Sequence, residues 1–452
     1  MTHVRLSDDE LPTELQDALE RHDLRDAQFL LGQRPPHVIA DELARMNAVD
    51  AVVAFRLLEK DEAIKVFEEL EPVDQQAVLM GLRDTAFREL VEELDPDDRV
   101  RMLHEAPAKV VQRVLAGLSA HERQMTAALL GYPEGSVGRY MTPEVVAVDR
   151  NLNVRQALDH VRAKGADAET IYTLPVVDAG RRLIGVVELR ELVLSPSGGD
   201  VLDLVAADAP RVYASDPAEA AARLMRETNT LDLPVVDSEE RLVGLLTIDD
   251  AVEVIEEADT EDVARQSGSA PWSGHYMAAT VWQLARHRVV WLLLLLLAAT
   301  LTVAVTDAFE KTLEQVTQLA LFIPLLIGTG GNIGAQAATA AVRALALGEV
   351  RGSDLPVIIW RECRVGLVLG SMLATLGMAL GTAFVGAQIA LVVGVALVII
   401  CGWAATVGGT MPLLAKRLHI DPAVVSAPMV TTLVDATGLV IYFLTARAVL
   451  GM

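Results

Sequence analysis

Apolar positions fall into two regimes along the chain. Beyond residue 284 they form long runs, and before residue 270 they form short periodic groups. Roughly 20 apolar residues carry a helix across a bilayer core. Val289–Val305 (VVWLLLLLLAATLTVAV) is slightly short of that, but Thr306 and the preceding turn extend it. Gln318–Ala346 reads as a second span, interrupted by glycines. Between Arg364 and Lys416 lie 51 uncharged positions, enough for two helices turning near Gly386-Ala387-Gln388. Ala423–Ala446 is the last, so five spans are predicted in 284–452. Basic residues favour the cytosolic flanks of spans. With the N-terminal half in the cytosol, the inner flanks hold Arg286, Arg288, Arg343, Arg351, Arg361, Arg364, Lys416 and Arg417, and the outer flanks hold only Lys311 and Arg447. That orientation leaves the C-terminus outside.

The short-period half divides again. Residues 1–130 carry no strand pattern. Leu70-Glu-Pro-Val-Asp74, Leu94-Asp-Pro-Asp-Asp98 and Leu118-Ser-Ala-His-Glu122 recur every 24 residues, and Leu58 and Leu82 mark half-steps of 12. Twelve residues fit one short helix and its turn, so 24 make a helical hairpin, and stacked hairpins make a small solenoid. Pro at the first helical position behind an acidic residue suits this reading. Further on, Leu174-Pro-Val-Val-Asp178 and Leu183-Ile-Gly-Val-Val187 return 59 residues later as Leu233-Pro-Val-Val-Asp237 and Leu242-Val-Gly-Leu-Leu246. Each unit reads as strand, turn, strand and helix (Leu189–Leu194; Ile248–Glu257), with helices Val154–Lys164 and Ala218–Glu227 in front. The pattern resembles a tandem pair of CBS domains over 138–257. That resemblance implies an adenine-nucleotide ligand and the signature Gly-x-x-Ser/Thr-x-x-Asp. The second unit keeps it at Gly244, Thr247 and Asp250; the first has Gly185, Glu188 and Glu191 instead.

Charge sharpens this division. From Pro271 onward there are 10 Lys+Arg and 8 Asp+Glu, a net of +2, which leaves 28 against 54, a net of −26, in residues 1–270. The opening MTHVRLSDDELPTELQ has no apolar core, so the acidic half is expected to stay in the cytosol. The two cysteines, Cys363 and Cys401, imply neither a disulfide framework nor a zinc site. An enzyme is not expected: there is no nucleophile-and-base pair, no phosphate loop and no histidine cluster, and His287 and His419 stand at membrane flanks. No nucleic-acid partner is expected either.

Three stretches concentrate chemistry. Asp249–Asp262 (DDAVEVIEEADTED) carries eight acids and no base, at the entrance to the membrane half within an acidic connector, 249–270. Val252, Ile255 and Ala258 give it one apolar stripe, but like charges three and four apart disfavour a helix. Hard divalent cations, which prefer carboxylate oxygens, would neutralise it. In the second span, Gly328, Asn332, Gln336 and Thr339 recur at helical spacing and make one polar, narrow face. In the last span, Pro428, Thr431, Thr432, Asp435, Gly438 and Tyr442 are predicted to share a face, with Leu433, Val434 and Ile441 pointing away. Helix packing accounts for the glycines and most of the threonines. It does not account for Asp435, since an unpaired carboxylate at mid-bilayer costs roughly 2.5–3.5 kcal/mol on insertion scales and usually marks an ion path. A single carboxylate among neutral oxygens suits a cation that keeps its waters, as Mg²⁺ does, without excluding Mn²⁺, Co²⁺ or Ca²⁺.

The order of helical repeat, CBS pair, acidic connector and five spans resembles the MgtE family of magnesium channels. GTGGNIGAQ (Gly328–Gln336), DPAVVSAP (Asp421–Pro428) and TTLVDATG (Thr431–Gly438) carry the likeness. The resemblance implies an all-α repeat domain, an α/β CBS pair and an all-α membrane domain in the plasma or inner membrane. It implies a homodimer whose pore is lined by the second and fifth spans, with Asp435 holding hydrated Mg²⁺ and Asn332 beside it. It also implies a connector that plugs the pore when cytosolic Mg²⁺ is plentiful. By position, Asp250, Glu253, Glu261, Asp262 and Asp421 match its acidic sensor positions, with Asp97, Asp98 and Glu219 as further candidates. Ala258 stands where a family carboxylate is expected, flanked by Glu257 and Asp259. A coupled secondary transporter, or a membrane-anchored nucleotide sensor using Thr247 and Asp250, are the alternative readings.

Overall fold

The computed structural model describes residues 12–103, 106–272, 276, 279–425 and 427–452. They form two compact units. Residues up to Ala258 make one, and Asp259–Trp272 with Thr280–Met452 make the other.

In the first unit the half-step of 12 is the structural repeat. Helices begin at Leu24, Pro36, Ala48, Lys60, Pro72, Asp84, Pro96, Ala108 and Ala120. Several starts are fixed locally: Asp23, Asn47 and Ser119 accept backbone N–H bonds from the first turns they precede. Glu71 precedes Pro72 as predicted, yet its side chain makes no capping bond. From Pro36 onward each helix packs chiefly on the one two places along the chain, which is the 24-residue period, whereas the first two helices pack on each other. The repeat leucines Leu70, Leu82, Leu94 and Leu118 all go into one continuous core.

The CBS repeat folds as two copies of one small sheet. β1 (Val148–Asp149) pairs parallel to β2 (Thr173–Val177), which pairs antiparallel to β3 (Leu183–Glu188). β4 (Val212–Tyr213), β5 (Asp232–Val236) and β6 (Leu242–Thr247) repeat that order. Leu174 faces Val187 and Leu233 faces Leu246, and each hairpin has its irregularity at the same place, Val176/Val177 and Val235/Val236. The repeated glycine has a steric reason. A Cβ on Gly185 would lie 2.6 Å from the Ala206 carbonyl, and one on Gly244 would lie 2.6 Å from that of Thr142. The helix after β6 runs unbroken from Ile248 to Gln266, so the CBS helix and the acidic connector are one element.

Five helices of the second unit are long and apolar enough to cross a membrane: Val281–Ala308, Ile323–Ala346, Leu355–Val385, Ala387–Arg417 and Ala427–Leu450. A short 3₁₀ turn, Thr317–Phe322, leads into the second. The third begins at Leu355 rather than after Arg364, so Arg361, Glu362 and Arg364 lie on the helix and not on a flank. Gly386, with φ of +97°, makes the tight reversal into the fourth. The fourth is the hub, packed on the second, third and fifth, and most of its apolar stretch is buried. The first has none of its apolar stretch buried and touches mainly the fifth.

Small residues let these helices meet, as membrane packing requires. A Cβ on Gly408 would stand 2.1 Å from the carbonyl oxygen of Gly334, a backbone atom that cannot move aside. We expect Gly408→Ala to lower the stability of the membrane unit by about 1–3 kcal/mol, the usual cost of overpacking. Thermal unfolding in detergent checks this: an unchanged midpoint would refute the tight crossing.

Candidate functional site

One helix of the repeat domain, the CBS pair and the acidic helix bring carboxylates together in the first unit. Asp97 begins the helix Pro96–Leu103, Glu169 lies in the loop before β2, and Asp250 sits in the first turn of Ile248–Gln266. One oxygen from each lies within 4.8 Å of the others. Asp97 is buried, and its Oδ1 has no hydrogen-bond partner. The Thr247 hydroxyl donates to Asp250 Oδ2 at 2.5 Å. Among the described residues no Lys or Arg pairs with any of the three.

Burial dominates the protonation of this trio, and mutual repulsion adds to it. Burial pushes Asp97 well above the usual carboxylate range, with the Asp250 and Glu169 charges reinforcing it. Glu169 is pushed up to about 8 by burial and then by Asp250. Asp250 is pushed up to about 7 by burial, against the opposing Thr247 hydrogen bond. Three converging carboxylates, with an unpartnered buried oxygen on Asp97, form a hard-oxygen donor set that fits a divalent ion.

A second trio joins Glu68, Asp95 and Asp98, again with oxygens within 4.8 Å. Burial, then Asp98 and Asp95, push Glu68 up to about 7. Here a base intrudes: Arg101 pairs with Asp98 at 3.1 Å and also with Glu253 of the acidic helix.

The predicted sensor acids therefore separate. Asp97 and Asp250 meet each other, with Glu169 as a third member that the sequence did not single out. Asp98 joins Glu68 and Asp95, two more residues not singled out. Glu253 does not enter either trio and is bound by Arg101. Glu261 and Asp421 are both bound by Arg265. Glu219 pairs with Arg223 one turn away at 2.5 Å. Asp262 lies half-buried beside Glu261 on the same helix. The acidic helix is thus neutralised partly by arginines, in addition to any divalent cation expected there. Thr247 and Asp250, proposed for a nucleotide, are bonded to each other, and Asp250 belongs to the carboxylate trio.

In the membrane unit the second span has two faces. Gly330, Gly331 and Gly334 are buried against the fourth and fifth spans, at Ile400, Thr431 and Val430. Gly328, Asn332, Gln336 and Thr339 are all exposed on the other side. Asp435 is half-buried beside this helix: a Cβ on Gly331 would lie 3.3 Å from its Oδ1. It has no ion pair or hydrogen bond among the described residues. The Thr431 and Thr432 hydroxyls both donate to the Pro428 carbonyl, at 2.8 and 2.9 Å. The predicted face of the last span needs two corrections. Tyr442 is fully buried and donates to the Leu319 carbonyl at 2.9 Å, so it locks the second span's entry turn. Val434, expected to point away, packs on Gly330 and Gly334 of the second span.

Comparison with known proteins agrees with this architecture. Residues 323–445 match the family model described as divalent cation transporter, 34–135 the MgtE intracellular N domain, and 137–197 and 201–257 the CBS domain. The magnesium transporter MgtE of Thermus thermophilus is 37% identical over 449 residues, covering 98% of this chain and 99% of that protein. The Bacillus subtilis magnesium transporter MgtE is 29% identical over 431 residues, 94% of each chain. Among solved structures, the crystal structure of the cytosolic domain of the Mg²⁺ channel MgtE in complex with ATP is similar at 35% identity and a TM-score of 0.50, covering 54% of this chain and all of that one. With the repeat domain, the CBS pair and five apolar spans all in place, this chain belongs to the MgtE family of magnesium transporters.

Proposed function

We propose that the chain is a Mg²⁺ channel for uptake across the plasma membrane, closed from inside by cytosolic Mg²⁺. The observation that carries the permeation half is Asp435: a carboxylate within a membrane helix, without a basic partner, next to a helix whose polar side chains face outward. In a homodimer two such faces enclose one path, with Asp435, Asn332, Gln336, Gly328, Thr431 and Thr432 along it. Two carboxylates near one axis repel each other, and a passing dication relieves that repulsion. Mg²⁺ passes with most of its waters, held by neutral oxygens rather than stripped.

The gating half rests on the trio Asp97, Glu169 and Asp250. It draws the repeat domain, the CBS pair and the acidic helix together only if its charges are neutralised. With little Mg²⁺ the net −26 of residues 1–270 spreads these parts. A ligand shifts such an equilibrium only through its better affinity for one state, and a trio assembled only in the closed form has that property. The N-terminus is cytosolic and the C-terminus outside in this reading. An adenine nucleotide at the CBS pair belongs to the same proposal, but the Thr247–Asp250 bond argues against those two side chains as its ligands.

The test is reconstitution. Mg²⁺ flux into proteoliposomes should persist with no proton or sodium gradient, and internal Mg²⁺ should suppress it. Limited proteolysis of residues 1–270 should slow as Mg²⁺ rises through the millimolar range. Flux that requires a gradient would make the protein a coupled transporter instead.

A further inference from the structure

The acidic helix was expected to meet the rest of the protein through shared metal ions. At two of its contacts it meets arginine. Arg101, from the repeat domain, forms ion pairs with Asp98 and with Glu253, and its Nη2 donates to the Glu68 carbonyl at 3.3 Å. Its side chain is only 17% exposed, so this is a built-in contact rather than a surface encounter. Arg265, from the last turns of the helix, forks between Glu261 and Asp421, using Nη2 for one and Nη1 for the other. Asp421 opens the segment that leads into the Asp435 helix.

We propose that Arg101 and Arg265 are tethered cations that hold two of the closing contacts permanently, leaving the response to cytosolic Mg²⁺ to the Asp97–Glu169–Asp250 trio. This assignment rests on the proposed Mg²⁺ gating and on three observations. First, Asp98, Glu253, Glu261 and Asp421 each have a guanidinium as partner. A guanidinium stays charged at every physiological pH and presents a planar fork suited to two carboxylates. Secondly, a dication placed at the same oxygens would face that fixed positive charge, so these two places do not fit a resident metal. Thirdly, the remaining trio pairs with no Lys or Arg among the described residues and contains a buried oxygen without a hydrogen-bond partner, so it is where a soluble cation changes the balance.

Each arginine is one permanent charge per chain, independent of ion concentration. The closed arrangement therefore starts part-way formed, and fewer ions complete it. Removing Arg265 should convert a permanent contact into an ion-dependent one, because Glu261 and Asp421 then lose the guanidinium they share.

The experiment uses the full-length protein in detergent and in proteoliposomes, with Mn²⁺ as a countable probe and Mg²⁺ as the effector. Arg265→Ala and Arg101→Ala should each raise the Mg²⁺ concentration that protects residues 248–266 from protease by about tenfold, within the usual span of coupling between sites. Each should also raise the amount of Mn²⁺ bound per chain, because the carboxylates lose the fixed positive charge that opposes a dication. Arg265→Lys should recover most of the protection, which separates loss of charge from loss of folding. Unchanged Mg²⁺ dependence together with unchanged Mn²⁺ stoichiometry in both alanine variants would overturn the proposal. If the wild-type protein itself shows no Mg²⁺-dependent protection, the gating reading fails, and this inference fails with it. Wild-type protection with indifferent variants removes only the inference.

Discussion

Asp435→Ala should abolish Mg²⁺ uptake into proteoliposomes while leaving the membrane unit folded, and Asp435→Asn should reduce uptake nearly as far. The two effects should have opposite signs. A carboxylate inside a membrane helix is a burden on insertion of roughly 2.5–3.5 kcal/mol, so its removal raises the thermal midpoint or leaves it unchanged. If Asp435 served packing, its loss would lower stability, and uptake would fall in step. The structure leaves little for it to pack: it is half-buried, it has no ion pair or hydrogen bond among the described residues, and its nearest helix neighbour is a glycine. Asparagine keeps the size and a carbonyl oxygen but loses the charge, so it distinguishes attraction of a dication from steric lining. Asn332→Ala and Gln336→Ala should lower uptake less, because each removes one neutral oxygen among several. Uptake by Asp435→Asn equal to that of the wild type would end the case for a carboxylate-centred pore.

Much of this architecture was legible in the chain, for identifiable reasons. The 12- and 24-residue steps were visible because Leu70, Leu82, Leu94 and Leu118 all enter one core, and a repeat that shares a core repeats its apolar positions. The CBS pair was visible because the same hairpin register recurs with the same glycine at the same close approach. The polar face of the second span followed from helical spacing alone. What escaped was everything that depends on which segments meet. Glu169 stands in a loop with no motif around it, and only the fold carries it to Asp97 and Asp250. The pairing of Arg265 with Asp421 joins residues 156 positions apart, and no spacing rule connects them. Val434 was misplaced for another reason. An apolar side chain in a membrane helix gives no sign of whether it faces lipid or a glycine on the next helix, and here Gly330 and Gly334 receive it. The third span was started late because Arg361, Glu362 and Arg364 read as a flank, although a helix end can carry them as far as the interface.

Between pH 5.5 and 8.5 the first unit without divalent ions should lose stability, and Mg²⁺ should restore progressively more of it as the pH rises. Asp250 has its carboxyl raised from 3.8 to about 7, Glu169 from 4.5 to about 8, and Asp97 is raised well above its usual range. A carboxyl whose pKa is higher in the folded state than in the unfolded chain favours folding while it is protonated. That contribution is fully present below about pH 4, where both states hold the proton, and is lost as pH climbs through the folded value near 7 to 8. The direction is opposite to that of an ion-paired surface carboxylate, whose stabilisation is lost on acidification. Bound Mg²⁺ replaces the missing protons, so its stabilising effect grows over the same interval in which the protons leave. Differential scanning fluorimetry of the full-length protein, with EDTA and with Mg²⁺ at several pH values, reads both trends at once. Asp250→Asn should flatten each of them, because an amide neither titrates nor adds charge to its neighbours, and it should raise the midpoint in EDTA at pH 8. The same substitution should leave the protein less responsive to internal Mg²⁺ in the uptake assay, because the trio then offers one fewer charged oxygen. A wild-type midpoint that falls on acidification from pH 8 to pH 6 in EDTA would show that the trio does not govern the folded state's proton balance.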